Sequence, residues 1–180
     1  GVSNTRFGVV RYGNVMGSRG SVIPFFMSLA DKGESLPITD KQMTRFMITL
    51  EQGVELVWHA LDDMVGGEIY VKKIPSMKVT DMARAVSIDA RQKVIGIRPG
   101  EKLHEQMIAA EDAPYTYKYA DHFKVLPAIH NWSADVARIN GGTKVEPNFS
   151  YCSDNNPEWM SIETLQSWIS QNRKKIGRLL

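Results

Sequence analysis

One cysteine, Cys152, stands in 180 residues. No internal disulfide can form from it, and the composition suits a reducing, cytoplasmic setting. No apolar run approaches the roughly 18 residues of a membrane-spanning helix, and no leader pattern is recognisable, so the chain reads as soluble. Charge of one sign is also missing. The 22 basic and 20 acidic side chains leave +2 at pH 7, which gives no electrostatic case for nucleic acid or membrane partners. There is no internal repeat and no low-complexity tract. No second histidine stands at ligand spacing from His59, so no metal site is expected. The glycines do not spell Gly-x-Gly-x-x-Gly, and no Gly-Lys-Ser/Thr P-loop occurs.

What is present is enough apolar sequence, 43% of residues, for a core in one domain, or a domain and a lobe. The densest signal is Arg11-Tyr12-Gly13-Asn14-Val15-Met16-Gly17-Ser18-Arg19-Gly20. Phe7-Gly8-Val9-Val10 feeds into it as a strand, and Ser21-Val22-Ile23-Pro24 leaves it as the start of a helix. In open α/β sheets, ligands sit where loops leave the carboxyl ends of strands. Asn14 can donate and accept there, Arg19 offers a cationic fork, and glycines let main-chain N–H groups approach an anion. A tight turn with glycines for geometry alone is the competing reading.

The helix over 22–29 stops at Gly33. Extended runs follow at 35–40 and 43–48. Arg45 within the second is either a phosphate or carboxylate clamp or an edge-strand arginine facing water. Thr49-Leu50-Glu51-Gln52 is a capping box, and Leu50, Val54, Val57 and Leu61 recur at helical spacing. Glu68-Ile69-Tyr70-Val71 reads as a strand, and Thr80 as the cap of a short helix through Val86. A strand over 93–97 delivers Arg98-Pro99-Gly100-Glu101-Lys102, a fixed turn whose arginine either forks onto a diphosphate or stands exposed. A helix is expected over 103–108, with His104 and Glu105 about 100° apart. Phe123-Lys124-Val125-Leu126 reads as a strand, Asn140-Gly141-Gly142-Thr143 as a turn, and Ser161 as the cap of a final helix carrying Leu165, Trp168, Ile169 and Ile176. Arg173-Lys174-Lys175 complements that helix's dipole.

Three strings together carry a resemblance: 11–24; Ile38-Thr39-Asp40 with Met43-Thr44-Arg45-Phe46; and Ile95-Gly96-Ile97-Arg98-Pro99-Gly100-Glu101-Lys102-Leu103-His104-Glu105. The chain resembles the extended short-chain dehydrogenase/reductase superfamily and, within it, the inverting UDP-N-acetylglucosamine 4,6-dehydratases of pseudaminic acid biosynthesis and flagellin glycosylation. Lys73-Ile74-Pro75-Ser76-Met77-Lys78 favours that branch over the capsule and O-antigen dehydratase/5-epimerases. Such enzymes also carry a Gly-rich nucleotide fingerprint and a Tyr-x-x-x-Lys pair, and neither occurs here. Together with the core-like strand so near Gly1, this makes residues 1–180 read as one unit from the C-terminal half of a longer enzyme.

The resemblance implies an α/β fold: the C-terminal part of a Rossmann-like extended dehydrogenase/reductase with a small α/β substrate-binding lobe, the NADP-binding half lying elsewhere. It implies hydride removal from C4 of the hexose by NADP, loss of water across C5–C6, and hydride return to C6 with C5 inverted. No catalytic residue is assigned to this chain. Val15, Met16, Gly17, Ser18 and Arg19 would line the cofactor. Asn14, Thr39, Arg45, Arg98, Pro99, Gly100 and Glu101 would hold the UDP-sugar. The expected partners are that substrate and either a homo-oligomer or the missing N-terminal half. The alternative is a UDP-sugar-binding module without chemistry.

Overall fold

The computed structural model describes residues 4–129 and 136–176, so Gly1, near which the expected first strand lies, is outside them. The fold is α/β with both parallel and antiparallel strand pairs, as the sequence implies. Its chain divides into two compact units that interleave: Gly1–Tyr12, Leu50–Ile74 and Gln106–Cys152 form the first, and Gly13–Thr49, Pro75–Glu105 and Ser153–Leu180 the second.

In the first unit, β1 (Val9–Arg11) pairs in parallel with β5 (Ile69–Lys72). The sheet continues antiparallel through β10 (His122–Val125), β9 (Thr116–Lys118) and β11 (Thr143–Lys144). Helix α2 (Leu50–Asp63) leads into β5 at the end of the long crossover that separates the two parallel strands. It buries Gly53, Leu56 and Ala60, with Leu56 and Ala60 against Tyr70 and Val10. The stripe Leu50, Val54, Val57 and Leu61 that marked the helix in the sequence is exposed instead. Short residues let the helix axis come close to the sheet, so the larger side chains are turned away from it.

A buried polar network fills the far end of this sheet. Lys124, 1% exposed, pairs with Asp63 and donates to the Arg138 carbonyl at 2.8 Å. Tyr70 donates to Asp63 at 2.7 Å. Burial works against the Asp63 charge, but the Lys124 and Tyr70 bonds win and hold its carboxyl below the usual range. Arg138 pairs with buried Glu68 at 2.6 Å. His59 stands 3.3 Å from His122, ring nitrogen to ring nitrogen. His122 also bonds Asp121 at 2.8 Å and stacks on Tyr119. Burial, with His59 and Lys124 nearby, lowers the His122 pKa despite Asp121.

That depression fixes a sign. In the folded chain His122 takes its proton at a lower pH than an unfolded chain's histidine, which does so at about pH 6.5. Stability is therefore full above about pH 6.5 and falls as pH drops from there toward the lower folded value. Urea midpoints should decline over that window, and the decline should shrink in His122→Gln. Equal slopes in both proteins would contradict a neutral buried His122.

In the second unit, β2 (Asn14–Val15) pairs in parallel with β4 (Thr44–Ile48), and β4 pairs antiparallel with β6 (Ser76–Lys78). Strand β3 (Leu36–Ile38) pairs in parallel with β7 (Gln92–Val94). Three helices cover them: α1 (Val22–Asp31), α3 (Val79–Val86) and α5 (Ile162–Asn172). Met16, Ile23, Met47, Met77, Met82, Leu165 and Ile169 make one buried cluster; Phe26, Leu36, Ile38, Met43, Val79 and Ala83 make another. Gly33 takes φ +70 after α1, and its N–H donates to the Ala30 carbonyl, the stop expected there. Ser161 caps α5 by accepting from the Thr164 N–H at 3.1 Å.

Two expectations fail locally. Thr80 lies inside α3, which begins at Val79 after Lys78. The expected helix over 103–108 does not form; Gln106–Ile108 is instead strand β8, paired with β12 (Tyr151–Cys152) in the first unit. Nothing at 99–102, Pro-Gly-Glu-Lys, can cap a helix at Leu103, and Ser153 takes up the local backbone instead: the Glu105 N–H donates to its Oγ at 2.9 Å and its own N–H donates to the Glu105 carbonyl.

Candidate functional site

The second unit holds an open cavity of about 260 Å³. Asn14, Thr39, Arg45, Arg98 and Glu101 all line it. Five residues that the sequence scatters over nearly ninety positions thus share one space. They arrive from four places in the fold: Asn14 opens β2, Thr39 follows β3, Arg45 is in β4, and Arg98 and Glu101 follow β7. The apolar wall comes from Phe25 and Phe26 of α1, with Met43, Val79 and Ile95.

The Arg98 turn is built by its sequence. The Glu101 N–H donates to the Arg98 carbonyl at 3.0 Å. Pro99 supplies the fixed φ of the second position and Gly100, at φ +81, the left-handed third position of a type II turn. The Glu101 carboxylate accepts from the Arg98 N–H at 3.2 Å. Among the described residues no side chain or carbonyl pairs with the Arg98 guanidinium, so its five donors remain available to a ligand. Pro99 and Gly100 themselves are exposed and shape the turn without lining the cavity.

Arg45 is differently placed. One terminal nitrogen donates to the carbonyls of Thr44 (2.7 Å) and Leu103 (3.2 Å), and the other to that of Lys102 (3.0 Å). Glu101 and Glu105 stand at 3.9 and 3.7 Å. The guanidinium therefore holds segment 101–105 against β4 while one side borders the cavity. Behind it, buried Thr44 meets His104 Nδ1 at 2.7 Å and Ser153 Oγ at 2.6 Å.

Glu105 escaped the sequence reading because it was put on a helix. Its carboxylate accepts from the Phe46 N–H at 3.2 Å. Oriented so that Nδ2 faces Glu105, the Asn14 amide stands 3.1 Å from each carboxylate oxygen and 3.3 Å from the Phe46 carbonyl. Burial raises the Glu105 pKa, against the Phe46 N–H and the charges of Arg45 and Lys102. The missing cap before Leu103 was the signal that would have removed the helix.

Segment 15–19 does not line this cavity, although Gly20 and Ser21 do. Val15 pairs with Ile48. Met16 is buried in the core and its N–H donates to the Ile48 carbonyl. Gly17, at φ +72, sits under Trp168, 2.8 Å from where a Cβ would stand. Arg19 is exposed. Among the described residues there is no cluster of three or more metal-ligating side chains, and no helix is long and apolar enough to cross a membrane.

A family model described as polysaccharide biosynthesis protein matches residues 1–127. The inverting UDP-N-acetylglucosamine 4,6-dehydratase of Campylobacter jejuni serotype O:2 is 51% identical over 176 residues, covering 94% of this chain and 53% of that protein. A UDP-glucose 4-epimerase of Rickettsia akari is 42% identical over 151 residues, covering 82% of this chain and 44% of that protein. The X-ray structure of Pen from Bacillus thuringiensis superposes with a TM-score of 0.78 at 30% identity, covering 95% of this chain and 51% of that one. The chain spans about half the length of the curated relatives it matches.

Proposed function

The chain belongs to the polysaccharide biosynthesis protein family, and from that premise we propose that it is the nucleotide-sugar-binding half of a UDP-N-acetylglucosamine 4,6-dehydratase. The observation that carries the reading is the shared cavity: Asn14, Thr39, Arg45, Arg98 and Glu101 around one space, in a chain about half identical to two inverting dehydratases. The Arg98 fork meets the diphosphate, where bidentate charge-assisted bonds are strongest. Glu101 accepts from ribose hydroxyls. Thr39 and the phenyl groups of Phe25 and Phe26 border the base and sugar. Arg45 contributes its charge to the same end of the cavity while it holds segment 101–105 in place.

The dehydratase reaction needs a nicotinamide cofactor, which we take to be NADP. The turn over 15–19 suits it only in part. Ser18, Arg19 and main-chain atoms are available to a dinucleotide, whereas the Met16 side chain is committed to the core. Bound there, the cofactor supplies hydride acceptance and return. The proton-handling residues belong to the half of the enzyme that this chain does not contain, joined covalently or by association. Its setting is cytoplasmic, in the route to pseudaminic acid and flagellin glycosylation.

The test is direct. Calorimetry should show UDP-N-acetylglucosamine binding to this chain, and Arg98→Ala should weaken it by tenfold or more, the range for a charge-assisted pair of about 1.5–3 kcal/mol. Unchanged affinity in Arg98→Ala would remove the diphosphate role. An absence of binding in the wild type would remove the reading itself.

A further inference from the structure

The carboxylate of Glu105 does not line the cavity but stands within hydrogen-bond reach of the Asn14 amide that does. We propose that Glu105 is a positioning residue: it fixes the Asn14 amide with its oxygen toward the cavity, so that Asn14 recognises a hydroxyl or N–H donor of the sugar and not a phosphate oxygen. This rests on the nucleotide-sugar reading above and divides its labour, with phosphate going to Arg98 and a donor group to Asn14.

The argument is one of hydrogen-bond parity. A primary amide has two N–H donors on one side and an acceptor on the other. Around Asn14 the fixed neighbours are both Glu105 oxygens at 3.1 Å and the Phe46 carbonyl at 3.3 Å. Every one of them is an acceptor. Turning Oδ1 toward them would set it against three oxygens, with both amide hydrogens left for the cavity. Turning Nδ2 toward them places one hydrogen on the carboxylate and one on the Phe46 carbonyl. The group Asn14 then offers to the cavity is Oδ1, which attracts O–H and N–H donors and repels phosphate oxygens.

Glu105 is held firmly enough to impose this choice. Its carboxylate takes the Phe46 N–H, and Arg45 Nε stands 3.7 Å away. Its own N–H and carbonyl are both engaged by Ser153. Asn14 is tied by the β2–β4 pairing to the strand that presents Phe46. The amide and its partner therefore belong to one rigid patch, and Glu105 acts on the ligand only through Asn14.

Two measurements decide the proposal. The first is calorimetry on the chain with UDP and with UDP-N-acetylglucosamine. Asn14→Ala should lower the affinity ratio of the sugar nucleotide over UDP about fivefold, the worth of one neutral hydrogen bond. Glu105→Gln should lower the ratio in the same direction, because a glutamine can donate to Oδ1 and let the amide turn. Arg98→Ala should weaken both ligands and leave the ratio nearly unchanged. If Asn14→Ala weakens UDP and the sugar nucleotide equally, the orientation is wrong and Asn14 grips phosphate.

The second measurement needs no ligand. In the ¹⁵N spectrum, the Asn14 side-chain amide pair, identified by its loss in Asn14→Ala, should shift as Glu105 takes up its proton, which burial moves above the usual carboxylate range. The shift should vanish in Glu105→Gln. A His104→Gln background separates it from the neighbouring imidazole, while Arg45, Lys102 and Glu101, the other charges at this patch, remain. A pair indifferent to pH and to Glu105→Gln would overturn the orientation, even in a chain that bound no nucleotide. The same spectrum reports whether each variant is folded.

Discussion

Asp63→Ala is expected to destabilise the chain by about 3–5 kcal/mol, the cost of stripping a buried cation of its partner. Asp63 supplies the carboxylate for Lys124, whose side chain is 2% exposed, and an acceptor for the Tyr70 hydroxyl at 2.7 Å. Without it, the ammonium keeps the Arg138 carbonyl and the faces of Tyr70 and Tyr119, none of which carries a full negative charge. Lys124→Met in the same background should return most of the loss, since the desolvated charge goes with it. Urea unfolding followed by circular dichroism reads both changes. A single-variant loss under 1 kcal/mol would mean that water reaches Lys124.

Gly13→Ala should cost about 2–3 kcal/mol and also lower the affinity ratio of UDP-N-acetylglucosamine over UDP, as Asn14→Ala does. A Cβ at Gly13 would lie 2.4 Å from Phe46 Cβ and 2.5 Å from the Phe46 carbonyl oxygen. These atoms are anchored in β4 and cannot swing aside, so relief requires β2 and β4 to part. Parting them carries Asn14 away from Glu105. Gly33→Ala, away from the cavity, is the informative contrast. Nothing lies within 4 Å of its Cβ position, so only its φ of +70 counts, worth about 1–2 kcal/mol. Thermal melts and calorimetry on the two variants should separate the effects: both melt earlier, and only Gly13→Ala lowers the ratio. A ratio unchanged in Gly13→Ala would detach the Asn14 amide from the β2–β4 pairing.

Much of the fold could be read locally, because the local chemistry was decisive. Ser161 announces α5 and caps it. Gly33 announces the end of α1 and adopts φ +70. Pro99-Gly100 dictates the turn that presents Arg98. The reading failed where tertiary context outweighed a local pattern. Leu103-His104-Glu105-Gln106 looks helical by composition, yet with no capping residue before it, the backbone there turns to Ser153 for its bonds. The apolar stripe of α2 marks the helix correctly and its buried side wrongly, because the face turned to the sheet is the one carrying Gly53, Leu56 and Ala60. The site followed the same rule. Arg98 stands out by its own Pro-Gly turn, whereas Thr39 and Glu101 enter only through the resemblance, and all three line the one cavity. Glu105 could not be found, because its role depends on meeting Asn14 across ninety residues of chain. The interleaving of the two units leaves no compositional trace at all.

The Thr44–Ser153 hydroxyl contact joins residues 109 positions apart in the chain, and through Glu105 it underpins the patch that holds Asn14. Closing so long a loop carries a large entropic cost that local structure cannot offset beforehand. The cavity's own lining ends at Glu101, so the last third of the polypeptide acts on it only through Ser153, which steadies the backbone of Glu105.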